Sequence, residues 1–243
     1  MADRVGTTFG FMVADFIKAF QPAEGIVISA EGGDIFLDVN AGTGAQVGQE
    51  YTVFRKGKPF VHPLTGKPLG RYEDVLGHAH VRRVNAEFSV ATFVPAPDKP
   101  APRPEDGARI TRGRIKVAVT PVLDMTEMRP DVRRVPYLMA TALERSRRFL
   151  VIDPLAVSDM FAADAVRVEE VLGRPERAVR VARNLEVMGW MVPVLIERRG
   201  VFYLDVTYVS AVTGTALFSR RELVVANSAT EEQRFPWEPR VED

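Results

Sequence analysis

Three histidines are the residues whose type and spacing most invite chemistry: His62, His78 and His80. His78 and His80 stand two apart, so on a strand both rings face the same way. With His62 they would make a three-imidazole zinc site, the donor set that leaves a fourth position open for water. The chain holds only these three, 3 His in 243 residues, and no pattern in the sequence forces His62 towards the other two. The alternative reading is three surface or half-buried side chains with no common ligand. Gly42, Gly44 and Gly48 invite a phosphate loop. Their spacing is not that of a dinucleotide fingerprint, and strand text follows where a helix should begin. No helix N-terminus is therefore offered to a phosphate. There is no Gly-x-Ser-x-Gly elbow, no His-Glu-x-x-His helix and no P-loop. The chain has 0 cysteines, which removes thiolate ligands, cysteine nucleophiles and disulfides. No cofactor is expected, and no catalytic residue is assigned.

Charge narrows the field further. Lys plus Arg is 32 and Asp plus Glu is 32, a formal net charge of +0. A nucleic-acid binder that relies on bulk charge needs a surplus of cations. Arginines do gather in the second half: Arg133, Arg134, Arg145, Arg147, Arg148, and Arg174 to Arg183. Glu144, Glu169, Glu170, Glu176 and Glu186 are interleaved with them, as on a solvated helix face. In the polar tail, Phe235-Pro236-Trp237 is either a segment tucked back on its own domain or a docking peptide for a partner.

These residues must be positioned by elements that the patterning suggests. Phe9, Met12, Val13, Phe16, Ile17 and Phe20 recur at helical spacing, and Pro22 and Gly25 end the run. Residues 1–24 are expected as an N-terminal helix packed on the domain that follows. From 25 to 94 the text is β: Ile26 to Ile28, Ile35 to Val39, strands on either side of a turn at Lys56-Gly57-Lys58-Pro59, then Gly77 to Val84 and Glu87 to Val94. Short strands joined by Gly- and Pro-rich turns suggest a small closed β-barrel. Pro95 to Pro104 has five prolines in ten residues and reads as an extended linker, with 95–112 as the domain boundary.

The second half, 113–228, alternates strand and helix. Ile115 to Val122 and Phe149 to Ile152 read as strands, and Asp124 to Asp131 as a polar loop. Helices are expected at Pro136 to Arg148, from Asp153-Pro154 to Ala163, near Val166 to Leu172, and from Pro175 to Met188 with Gly189 beyond its end. Trp190 to Glu197, Val201 to Val212 and Thr215 to Val225 close a mixed sheet. The expected fold class is α+β in two domains: a barrel preceded by a helix, then an α/β layer domain, with an irregular tail at 229–243. No run approaches the ~20 apolar residues that cross a bilayer, so no direct membrane span is expected. The start, MADRVGTTFGFMVADF, lacks the features of a secretory signal.

A resemblance adds to this reading. Pro22-Ala-Glu-Gly25, Ile26-Val27-Ile28, Ile35 to Val39, Val47-Gly48-Gln49, Tyr51 to Arg55 and His62-Pro63-Leu64-Thr65-Gly66-Lys67-Pro68-Leu69-Gly70 resemble the carboxy-terminal barrel domain of flagellar assembly protein T. That family usually has an aspartate where His62 stands. Ile115 to Pro121, Arg148 to Asp153 and Asp205 to Phe218 resemble the α/β domain shared by flagellar assembly protein T, the amino-terminal domain of Tol-Pal protein B, and curli secretion protein G. The resemblance implies a non-enzymatic, periplasmic subunit of a bacterial envelope machine, flagellum-associated, as a ring or scaffold. It implies envelope or flagellar proteins, or further copies of the chain, as partners. The competing expectation is a metal-dependent enzyme or metal-binding protein that uses the cleft between the two domains. Cytosolic binding of nucleotide or nucleic acid ranks behind both.

Overall fold

The computed structural model describes residues 1–224. The first helix, α1 (Ala2–Ala19), carries Val5, Phe9, Met12, Val13 and Phe16 on one buried stripe. Six strands follow: β1 (Ala23–Glu31), β2 (Asp34–Leu37), β3 (Glu50–Val61), β4 (Pro68–Val84), β5 (Ser89–Pro95) and β6 (Gly107–Ile110). They form an antiparallel sheet in the order β1-β2-β5-β4-β3-β6, and β6 returns to pair with β1, so the ladder closes on itself. Its interior is filled by Val27, Ile35, Leu37, Tyr51, Val53, Leu76 and small alanines such as Ala79, Ala91 and Ala108. The Tyr51 hydroxyl donates to Gln49 Oε1 at 3.1 Å. Burial pushes its pKa up to about 12.

The second sheet is built from β7 (Ile115–Val119), β8 (Leu123–Met125), β9 (Phe149–Val151), β10 (Gly189–Arg198), β11 (Val201–Ser210) and β12 (Ala216–Leu223). Its order is β12-β11-β10-β7-β9, with β8 pairing β10 beyond the end of β7. β7, β8, β9 and β10 run parallel and β10, β11 and β12 antiparallel, a mixed sheet. Alternation along the strands sorts its side chains to two faces. Val117, Val119, Met191 and Leu195 meet α1 and α2 (Val135–Arg145) on one face. Ala118, Trp190 and Val192 meet α3 (Pro154–Ala163), α4 (Val168–Gly173) and α5 (Pro175–Leu185) on the other. Asp153 caps α3 by accepting from Leu155 N at 2.9 Å.

Several expectations are corrected. α1 packs on the mixed sheet and on α2, not on the closed sheet, because its Phe stripe shares a core with Met139, Leu143 and Phe149. The division into a first and a second half therefore fails at the N-terminus: the closed sheet lies between α1 and β7 in sequence, within the layer that α1 belongs to. The Pro-rich segment is not an inter-domain linker. It is a loop of the closed sheet, and Gly107 to Ile110 form the sixth strand within the expected boundary. Pro102 is buried, and Asp106 takes two bonds from Arg55, at 2.8 and 2.7 Å, and one from Arg103 N at 2.8 Å. Burial alone would raise the Asp106 carboxyl; the bonds from Arg55 and Arg103 outweigh it and hold the pKa below its ordinary value. The expected turn at Lys56 to Pro59 is a single register shift within the ladder, and β3 runs on to Val61. α5 ends at Leu185 with Glu186 in the left-handed region (φ 53), while Gly189 starts β10 beneath the Tyr208 ring. Leu123 to Met125 pair with β10, a strand where a polar loop was expected to begin.

The chain crosses between the two sheets twice, after α1 and before β7. Arg148 binds both crossings. Its guanidinium donates to Phe20 O, to Gly113 O and to Thr111 O, the last at 2.7 Å. It is only 8% exposed, and burial draws its pKa below the usual arginine value. We expect Arg148→Met to lower unfolding free energy by about 3–5 kcal/mol in urea denaturation, since three carbonyls lose their donor. Arg148→Lys should recover less than half of that, because one ammonium cannot reproduce the planar fork.

Candidate functional site

The strongest junction of polar side chains lies where the two sheets meet. Glu50 opens β3 and faces His80 across the β3–β4 ladder. His80 Nε2 donates to Glu50 Oε2 at 2.7 Å. From the mixed sheet, Ser210 Oγ donates to Glu50 Oε1 at 3.1 Å and Thr213 Oγ1 donates to Glu50 Oε2 at 3.3 Å. One carboxylate thus gathers donors from both sheets. Ser210 Oγ also accepts from Val212 N and Thr213 N, each at 3.2 Å, which shapes the turn that follows β11.

A serine, a histidine and a carboxylate together suggest nucleophilic catalysis, but the wiring is wrong for it. The carboxylate binds both the serine and the imidazole nitrogen that would have to act as base. In a triad the histidine stands between the other two. Here Ser210 Oγ is held by the carboxylate and by two backbone N–H groups. The cluster is a structural joint.

A second contact lies beside it. Gly48 (φ 87) sits against the Leu217 carbonyl of β12, where any Cβ would collide with the backbone. The Gly-rich loop 42–48 is therefore a docking loop between the sheets and not a phosphate cradle. Asn40 organises it, accepting from Thr43 N at 3.1 Å through Oδ1. An open groove of about 480 Å³ runs along this junction, lined by Val47, His80, Arg82, Val94 and Leu217. Its charged groups are already engaged: His80 with Glu50, and Arg82 with Asp34 at 2.5 Å.

The three histidines do not converge. His78 and His80 share a face of β4, as expected. His62 lies past the far end of β3, which begins at Glu50 beside His80 and ends at Val61. At about 3.3 Å per residue that places it roughly 40 Å from His80 along the strand. The candidate metal site is overturned by this separation. Among the described residues, no group of three or more His, Asp or Glu side chains is placed to hold a metal ion. Phe235 and Trp237 lie outside the described residues.

His62 has a different task. Its Nδ1 accepts from Leu64 N at 3.2 Å and from Thr65 N at 3.3 Å. His62 O also accepts from Gly66 N, and its N–H donates to Lys67 O, both at 2.9 Å. This is the turn that closes the β3–β4 hairpin. Beyond the closed sheet that hairpin continues as a two-stranded arm. From Lys56 to Val75 every residue is exposed apart from the half-buried His62. Between Lys58 and Tyr72 the arm's contacts are local: the Phe60 and Tyr72 rings stand 5.2 Å apart, with Phe60 over Gly70. The sequence reading located this stretch but not its projection into solvent; the signal was an apolar and basic run too rich in Gly and Pro to fill a core.

No protein-family model matches the chain. An uncharacterized protein of Aquifex aeolicus is 32% identical over 83 residues, which are 34% of this chain and 16% of that protein, so the chain spans about a sixth of that relative's length. Among solved structures, the LpoB C-terminal domain from Escherichia coli is similar with a TM-score of 0.39 and 16% identity, over 46% of this chain and 83% of that one. The LpoB C-terminal domain from Salmonella enterica has a TM-score of 0.39 and 15% identity, over 46% and 82%. Lipoprotein GNA1162 from Neisseria meningitidis has a TM-score of 0.36 and 16% identity, over 47% and 82%. At these scores the likeness is to part of the fold and says nothing of what this chain does. None of the three is described as a flagellar protein.

Two outcomes test the joint. Glu50→Gln should destabilise the protein by about 1–3 kcal/mol, read by urea denaturation, because its amide cannot accept from all three donors. His78 gives a pH dependence. Burial lowers its pKa below 6.5, more than the nearby Glu50 raises it, with His80 lowering it a little further. Its Nδ1 is buried with no partner. A histidine kept neutral in the fold contributes stability above the unfolded pKa, and that contribution is lost as pH falls below ~6.5 towards the folded value. The melting temperature of His78→Leu should therefore fall less between pH 7 and pH 5 than that of the parent.

Proposed function

We propose that this chain is a non-enzymatic assembly subunit of a bacterial envelope machine, acting through the surfaces it presents. The observation that carries the reading is the β3–β4 arm. A two-stranded ribbon standing in water is marginal by itself. Exposed large apolar side chains grouped on one projection mark interaction sites. Phe60, Val61, Leu64, Leu69 and Tyr72 are 37%, 53%, 90%, 56% and 66% exposed. The groups that suggested chemistry are committed elsewhere: His62 to the turn, and Glu50, His80 and Ser210 to the joint.

The envelope setting is supported by the sequence resemblance to flagellar assembly protein T, Tol-Pal protein B and curli secretion protein G. A periplasmic location, and partners among envelope proteins or further copies of the chain, belong to the same reading. Its narrower form, a flagellum-associated ring or scaffold, is supported by that resemblance alone. No helix among the described residues is long and apolar enough to cross a membrane.

The test is to shorten the arm. Replacing Lys58 to Arg71 with Asn-Gly keeps the base of the hairpin and supplies a two-residue turn. The shortened protein should melt within a few degrees of the parent and lose recovery in envelope complexes after cross-linking in cells. Unchanged complexes with an intact fold would overturn the reading.

A further inference from the structure

The charge on the arm identifies what it meets. Between Lys56 and Tyr72 stand four cations, Lys56, Lys58, Lys67 and Arg71, and no Asp or Glu, in a chain whose net charge is +0. The first acidic residues reached at the base are already paired: Glu73 with Arg109 and Asp74 with Lys99. The charge of the arm is thus left uncompensated by its own domain.

The arm is also apolar at its end. Leu64 is at the apex and is the most exposed large apolar residue on the arm, with Val61 and Leu69 just behind it. Lys67 stands at the tip on the returning side, and Lys58 and Arg71 lie further back on the two strands. The Phe60–Tyr72 aromatic pair spans the ribbon at the level of Lys58 and Arg71. Exposed apolar side chains at and behind the apex thus stand beside cations spaced from the tip to the base, the pairing of groups that interfacial segments present to an anionic membrane surface. The turn itself is held by His62, so the apex is presented in one shape.

We propose that the arm docks on an anionic phospholipid surface, with Leu64 and Val61 entering the interface and Lys58, Lys67 and Arg71 meeting lipid phosphates. This rests on the reading of the arm as the contact surface and names its partner. Basic residues beside an anionic leaflet add attraction one by one, and the attraction decays within a Debye length. Small apolar side chains add the part that salt does not screen.

The experiment is co-sedimentation of the full chain with phosphatidylcholine vesicles containing 30% phosphatidylglycerol, against pure phosphatidylcholine. We expect at least tenfold tighter binding to the anionic vesicles, and most of it lost between 0.1 and 0.5 M salt. Lys58→Glu with Lys67→Glu should weaken binding tenfold or more. Val61→Ser with Leu64→Ser should weaken it several-fold and remove the salt-resistant remainder. All four positions are exposed, and circular dichroism checks that the variants fold. Equal binding to both vesicles, no binding to either, or variants that bind as the parent does would each overturn the proposal. If vesicles fail while the shortened arm still loses its envelope complexes, the arm's partner is an acidic protein surface: the lipid assignment falls and the assembly reading stands. If vesicles bind while those complexes survive shortening, the lipid assignment stands and the assembly reading falls.

Discussion

A single buried guanidinium governs how the two sheets are joined. The chain leaves the layer of the mixed sheet at Phe20 and returns to it between Thr111 and Gly113, and Arg148 bonds to the carbonyl oxygens of all three. Carbonyls at such crossings have left one sheet's ladder without entering the other's. Buried without donors, each would cost free energy of the order of a lost hydrogen bond. Arginine suits the position because its donors lie in one plane and diverge. The closed sheet can therefore sit as an insertion within the α/β layer while its two connecting strands stay fixed. The Glu50 cluster and the Gly48–Leu217 contact then hold the closed sheet at a second place, on the turn after β11 and on β12.

The consequence is that α1 belongs to the wrong half of the sequence and the right half of the structure. Its Phe9 and Phe16 rings stand 6.2 Å apart, and Phe16 meets Phe218 edge-on at 5.1 Å. Phe20 packs against Tyr208 and Phe149. These partners lie more than a hundred residues away in the chain. Periodicity announces that a helix has an apolar face, but carries no address for what that face will meet.

The same distinction separates what was legible from what was not. Local rules delivered the helix starts at Asp153-Pro154 and before Pro136, the strands either side of Arg198-Arg199-Gly200, and the mixed second sheet. They failed where a long-range partner decides. Gly107 to Ile110 read as the end of a spacer because five prolines precede them, yet β1 and β3 both needed a neighbour to complete the ladder. Pairing between Glu50 and Ser210, 160 residues apart, has no local signature. Trp190, by contrast, could be placed in a strand by pattern, but its Nε1 bond to Ala178 O at 3.1 Å required the helix position as well. The histidines show the limit most plainly: residue type suggested a metal, and strand length, a geometric quantity, removed it.

His62 shows how an imidazole can do the work of a capping side chain. A side-chain acceptor at the first position of a turn, receiving the N–H groups two and three residues on, is the task an aspartate performs at a helix cap or an Asx turn. The Nδ1 lone pair of His62 performs it here for Leu64 and Thr65. That use places the ring's own proton on Nε2, and a second proton on Nδ1 would remove both bonds. An aspartate there would add a negative charge to a segment that holds four cations and no acidic residue. A histidine here thus holds the turn without placing an acidic group on the arm.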